Sequence, residues 1–237
     1  MIEKRAFDTL GHANHGWLNA RHHFSFASYF DPARSSWGAL RVWNDDEIAV
    51  GGGFAPHPHQ DMEIITYVRK GAISHRDSLG NEGRTEAGDV QVMSAGSGIR
   101  HSEFNNEDTP TALFQIWIMP AERGGEPRWD AAAFPKHDRA NQMVVLASGN
   151  PQADGGLMIR QDARVIGATV EAGESVDYAF APGRAGYLVL ADGSGRINGV
   201  ALRTRDGVAI LNEDSITIEA ETDLELVLVD APLMPAR

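Results

Sequence analysis

The 237-residue chain has no cysteine, which removes disulfides, thiolate metal sites, cysteine nucleophiles and thiol redox switches from consideration. It is short of positive charge. Lys and Arg total 21 against 33 Asp and Glu, for a net charge of −12. That balance repels a phosphate backbone unless a basic patch overrides it, and the longest basic clusters are pairs such as Arg69-Lys70, so no direct nucleic-acid partner is expected. No apolar run approaches the ~20 residues that span a bilayer. The opening Met1-Ile2-Glu3-Lys4-Arg5-Ala6-Phe7-Asp8 is charged and lacks the apolar centre of a signal peptide. The expectation is a soluble cytoplasmic protein without a membrane partner, whose acidic surplus is solvated surface. Helical periodicity is scarce too. The best candidate is Asp130-Ala131-Ala132-Ala133-Phe134, stopped by Pro135. A last absence locates the chemistry: all nine His lie between positions 12 and 137, and residues 138–237 contain none.

What the chain does have is short β-rich runs between turn signals. Glu63-Ile64-Ile65-Thr66-Tyr67-Val68, Leu113-Phe114-Gln115-Ile116-Trp117-Ile118, Met143-Val144-Val145-Leu146, Gly186-Tyr187-Leu188-Val189-Leu190 and Leu224-Glu225-Leu226-Val227-Leu228-Val229 are such runs. Ala87-Gly88-Asp89, Ala191-Asp192-Gly193 and Ile197-Asn198-Gly199 are such turns. Regularly spaced short strands predict an all-β sandwich or barrel. A stretch with Pro120, Gly124, Gly125, Pro127 and Pro135 reads as a linker. The predicted division is residues 1–120, a linker at 121–138, and a second domain at 139–237. The two sides look like distant copies. Gly71 and Gly193 each open a turn-rich hairpin, followed by the buried strands Val90-Gln91-Val92-Met93 and Val208-Ala209-Ile210-Leu211. The tail from Asp230 to Arg237 is expected to be disordered or lightly docked.

Two segments of the first half carry ligand-like side chains at i and i+2, the spacing that places both on one face of a strand. Pro56-His57-Pro58-His59 supplies two imidazoles, and Arg100-His101-Ser102-Glu103 supplies one imidazole and one carboxylate. On neighbouring strands they would converge as three neutral nitrogens and a carboxylate with open positions beside them. That donor set suits Fe(II), Mn(II), Ni(II) or Co(II), with Cu(II) or Zn(II) permitted by affinity alone. Glu63 lies on the His parity of its own segment, so strand geometry does not choose between Glu63 and Glu103. By the same parity Arg100 points away. His12, His15, His22 and His23 sit among Trp17, Phe24, Phe26 and Phe30 and read as polar tips of a segment packed on the barrel, with a pocket lid or a second metal site as the functional alternative. His75, in a hairpin, and His137, after Pro135, read as structural or exposed.

Gly51, His57, His59, Glu63 and Gly71 match the first motif of the cupin superfamily with one residue extra before the last glycine. Gly88, Gly96, His101 and Asn105 match its second motif, with Ser94 at the usual proline position. Longer stretches resemble the pirin family: His57-Pro58-His59-Gln60-Asp61-Met62-Glu63, His75-Arg76-Asp77-Ser78-Leu79-Gly80-Asn81, and the run from Met93 to Glu103. Gly11-His12-Ala13-Asn14-His15-Gly16-Trp17 and Arg21-His22-His23-Phe24-Ser25-Phe26 are similar to it as well. These motifs cover about the first 120 residues, while the later half resembles the degenerate second domain of a bicupin. The resemblance implies one divalent metal, Fe(II) foremost, held by His57, His59, His101 and Glu103, with Glu63 beside a ligand His. It also implies oxidative cleavage of quercetin-type flavonols with release of carbon monoxide, as in similar bacterial members. Eukaryotic members are instead iron-dependent transcriptional cofactors.

The expected mechanism is metal coordination of the flavonol 3-hydroxyl and 4-carbonyl, which lowers the hydroxyl pKa. A carboxylate takes the proton, Glu103 first and Glu63 in reserve. Dioxygen then meets the activated substrate. A metal- or redox-sensing regulator that binds a protein partner is one alternative, and a metal-dependent isomerase of a small oxyanion is another. A monomer is the default, since neither a heptad repeat nor a large apolar surface run stands out.

Overall fold

The computed structural model describes residues 1–234. Its chain forms two β-sandwiches of similar construction. In the first, a four-stranded sheet in the order Gly53–His59, Ile99–Phe104, Ala72–Asp77, Glu82–Glu86 faces a seven-stranded sheet. The order of the latter is Arg128–Ala132, Val90–Ser94, Glu63–Lys70, Thr111–Ile118, Leu40–Ile48, Leu18–His22, Gly11–Asn14. The second lobe repeats the plan. Ser175–Ala179, Ser215–Ala220, Ser194–Ile197 and Val200–Arg203 form its smaller sheet. Its larger sheet runs Ile2–Arg5, Gly207–Leu211, Arg184–Asp192, Leu224–Pro232, Arg164–Val170, Val144–Ser148, Leu157–Met158. Strand neighbours are antiparallel except Val144–Ser148 with Leu157–Met158. The fold is all-β and cupin-type, with the hairpin-then-buried-strand repeat present in both halves.

Side-chain alternation explains why the central strands read as nearly continuous apolar runs. On Glu63–Lys70, Ile64 and Val68 turn into the first sandwich. Ile65 and Tyr67 turn outward into a cluster shared with Val165, Tyr187, Val189 and Val227 of the second lobe. The two large sheets therefore pack back to back, and strands buried on both faces have no polar side to show. Asp45, fully buried, fastens the same junction by pairing with Arg69 of its own lobe and Arg205 of the other. The second sandwich holds one continuous apolar cluster. The first holds two small ones, and between them lie buried Thr66, Gln91, His101, Glu103 and Gln115. Among the described residues, this histidine-bearing polar interior belongs to the first lobe.

Two expectations are corrected. Residues 130–134 are not a helix: Arg128–Ala132, within the stretch read as a linker, is a strand paired with Val90–Ser94. Three alanines favour a helix only weakly, whereas the rim of that sheet offers unpaired backbone groups that a strand satisfies. The end of the chain is not loosely attached through Pro232. Asp230 accepts hydrogen bonds from Tyr178 and Arg184 inside the strand Leu224–Pro232, and residues 235–237 of the expected loose tail fall outside the described residues. The chain also crosses between lobes at its start, since Ile2–Arg5 pairs with Gly207–Leu211. No helix among the described residues is long and apolar enough to cross a membrane.

Candidate metal centre

His57 and His59 sit two apart on the edge strand Gly53–His59. His101 lies on the adjacent Ile99–Phe104, directly opposite His57 in register. The three rings converge, with centroids 4.5 Å apart for His57 and His101, 4.8 Å for His57 and His59, and 5.0 Å for His59 and His101. One nitrogen from each lies within 4.8 Å of the others. The Nε2 atoms of His57 and His101 are 3.1 Å apart. Nδ1 of His57 is 2.8 Å from the carbonyl oxygen of Ala55. A carbonyl only accepts, so Nδ1 carries the proton and Nε2 presents a lone pair. Burial, then the neighbouring His57, lowers the pKa of His59 to about 4. Burial, followed by His57, His59 and His75, lowers that of His101 to about 2. Neutral imidazoles at such spacing are a donor set for a divalent transition metal, and the residues present fit one.

Glu103 is two residues beyond His101 and 1% exposed. Its carboxylate accepts from Gln91 Nε2 at 2.6 Å, Gln115 Nε2 at 2.8 Å and the Thr66 hydroxyl at 3.2 Å. Burial raises its pKa to about 7 against the pull of those three donors. Glu103 groups within 4.8 Å with His101 and His75, all three buried. Of the four expected side chains, three meet at one point and the fourth is joined to them through His101.

Glu63 goes elsewhere. The sequence reading placed it beside a ligand His, but its carboxylate bonds Ser94 at 2.6 Å and no His. It shares a sheet face with Ile65 and Tyr67, toward the second lobe, and Arg160 and Arg128 are the charges near it. Parity counted from His59 fails because the chain leaves one sheet for the other between them, turning at Asp61 with φ of 52°. Arg100 points away as expected and donates to the carbonyl of Pro56. His22 and His23 are buried and bonded to Asn44 and Tyr187, so they are interior groups rather than polar tips.

Sequence reasoning missed His75. It is buried, bonds Asp77, and stacks on Trp129 with centroids 4.9 Å apart and planes 10° from parallel. The signal was present: His75-Arg76-Asp77 has the same i, i+2 spacing as the other pairs. An aromatic mouth was also only half foreseen. Trp117 meets His59 edge-on at 5.0 Å and Phe26 at 5.4 Å. A cavity of about 250 Å3 opens there, lined by Phe26, Tyr29, Phe30, Met62 and Trp117 among others.

Twin sandwiches with a cluster of histidines and a buried carboxylate in one of them define a cupin-type protein of two domains. Residues 3–118 match the family described as Pirin, and residues 145–231 match the quercetinase C-terminal cupin domain. A pirin-like protein of Caulobacter vibrioides is 62% identical over 98% of this chain and 100% of its own length. A quercetin 2,3-dioxygenase of Escherichia coli is 44% identical over 98% and 99%. The crystal structure of the bacterial pirin YhhW from Escherichia coli in complex with nickel(II) superposes with a TM-score of 0.93 at 42% identity, covering 99% of this chain and all of that one. The chain belongs to the pirin family.

Proposed function

We propose that the chain is a metal-dependent dioxygenase that opens the ring of flavonols such as quercetin, using dioxygen and releasing one ring carbon as carbon monoxide. The chemistry is assigned to the N-terminal domain, residues 1–120, with the His-free domain, residues 139–237, as its support. The supporting observation is the gathering of three imidazoles, two of them held neutral by burial, beside a buried carboxylate whose proton affinity is poised near neutrality. His57, His59, His101 and Glu103 are the proposed ligands of one divalent transition ion. Iron(II) is our first choice, and the nickel complex of the related structure marks nickel as its rival.

When bound, the metal supplies Lewis acidity toward the vicinal 3-hydroxyl and 4-carbonyl oxygens of the substrate. The protein does the rest. Glu103, once loosened from the metal, takes the hydroxyl proton at its carboxylate, which Gln91, Gln115 and Thr66 hold in place. Trp117, Phe26 and Phe30 offer faces and edges against which the fused aromatic rings of the substrate lie. The apolar clusters on either side limit the entry of water.

The test is protein assayed with each of Fe, Ni, Mn, Co, Cu and Zn after elemental analysis of the untreated sample. Loss of the flavonol absorbance band with matching oxygen uptake and carbon monoxide release is the expected result. Turnover without oxygen uptake would assign a metal-dependent isomerase instead. Metal-dependent capture of a protein partner without turnover would assign a regulator.

A further inference from the structure

We propose that His75 and Asp77 position His101 for metal binding: Asp77 fixes the His75 ring, and metal binding at His101 closes a hydrogen bond to His75 between two ring nitrogens that are otherwise unpaired. The inference rests on the reading of His101 as a ligand. His75 and Asp77 lie on Ala72–Asp77, the strand beside Ile99–Phe104, with His101 opposite Asp77 and Glu103 opposite His75 in register. Both side chains are wholly removed from solvent.

The hydrogen bonds of Asp77 fix the tautomer of His75. Its Oδ1 accepts from the backbone N–H groups of Leu79 at 2.9 Å and Asn81 at 3.1 Å. Its Oδ2 accepts from the Asn81 side-chain amide at 2.9 Å and lies 3.1 Å from Nε2 of His75. A carboxylate engaged by three N–H donors is an acceptor to the fourth neighbour as well, so Nε2 of His75 carries the proton. Nδ1 of that ring is left as a bare lone pair, and it is buried with no partner. Nδ1 of His101 is likewise buried with no partner. The two ring centroids are 5.3 Å apart.

These two orphans are complementary. A neutral His101 that gives Nε2 to a metal carries its proton on Nδ1, and the bare Nδ1 of His75 is an acceptor for that proton. Glu103, the other acceptor in this group, already receives Gln91, Thr66 and Gln115. The His75 ring is held to its task by its stack on Trp129. The indole in turn lies so close over Gly83 that a Cβ there would meet it at 2.2 Å. Such outer partners set the tautomer and orientation of a ligand and raise its basicity, and their loss typically weakens metal binding about 10–100-fold.

His75→Phe keeps a ring on Trp129 and removes the acceptor. The expected result is a dissociation constant for Ni2+ raised about 10–100-fold by calorimetry, with the thermal midpoint of the metal-free protein unchanged. A folded H75F that binds Ni2+ within twofold of wild type overturns the role of His75 and leaves the metal centre standing. Should H75F not fold, nitrogen-15 NMR of the wild-type histidines decides. Protonated Nε2 and bare Nδ1 on His75, with protonated Nδ1 on His101 in the Zn2+-loaded protein, are expected, and a proton on Nδ1 of His75 overturns the proposal. A wild-type chain that binds neither Ni2+ nor Zn2+ overturns the centre itself and this inference with it.

Discussion

Glu103→Gln separates two effects that a buried carboxylate combines. In the metal-free protein the carboxyl of Glu103 is pushed from an ordinary 4.5 to about 7, chiefly by burial. Between those values the unfolded chain has released its proton and the folded chain has not, so rising pH favours unfolding. At ~1.4 kcal/mol per pH unit this comes to about 3 kcal/mol of stability lost between pH 4.5 and pH 7. The variant has no such proton. It also has one acceptor oxygen for three donors, Gln91, Gln115 and Thr66. A donor left without a partner costs about 1–3 kcal/mol at every pH. E103Q should therefore be the less stable protein at pH 5, and by pH 8 the gap should close or reverse, moving by about 3 kcal/mol overall. Urea unfolding of chelator-treated wild type and variant at half-unit steps from pH 4.5 to 8 reads this directly. Profiles that stay parallel within ~0.5 kcal/mol would refute the reasoning, because Glu103 would then not titrate differently in the folded state. On the proposed ligation by Glu103 a bound divalent ion holds the wild-type carboxylate ionised, so added Ni2+ should stabilise wild type increasingly as pH rises to 7, and E103Q less.

Three further outcomes follow from the geometry. Glu63→Gln should leave kcat/KM on quercetin within about twofold, since Glu63 bonds Ser94 on the far face of its sheet; a tenfold loss by flavonol absorbance would return it to the chemistry. Phe30→Ala, at a side chain 75% exposed, should change stability by less than ~0.5 kcal/mol. It should raise KM about 2–10-fold, the worth of one aromatic contact, and an unchanged KM would remove the mouth from substrate binding. Asp45→Ala leaves Arg69 and Arg205 facing each other at the lobe junction and should cost about 3 kcal/mol in urea unfolding; a loss under ~1 kcal/mol would show that solvent replaces the pair.

The fold was legible because its signals are local. Turn residues mark off runs such as Leu224-Glu225-Leu226-Val227-Leu228-Val229, and alternation within them is imposed by the pleat. The convergence of His57, His59 and His101 was legible for the same reason, since i, i+2 spacing survives in any strand. Glu63 was misplaced because alternation cannot be carried through Gln60, Asp61 and Met62, where the backbone changes sheets. His75 was passed over because it lies in a hairpin of turn residues, and its neighbour Trp129 comes from a segment whose alanines suggest a helix. Neither the back-to-back packing of the large sheets nor the exchange of Ile2–Arg5 into the second lobe leaves any mark shorter than the whole chain.

That exchange has a temporal side. The amino group of Met1 is bonded to the carbonyl of Leu211, 210 positions away, so this strand finds its neighbour only once distant parts of the chain have come together. Pairing across such a distance slows folding, and in the interval a strand without a neighbour is an invitation to aggregation. Glu3, Lys4 and Arg5 put a charge at three successive positions of that strand, a device that blunts the pairing of an open edge with other chains until its own partner is in place.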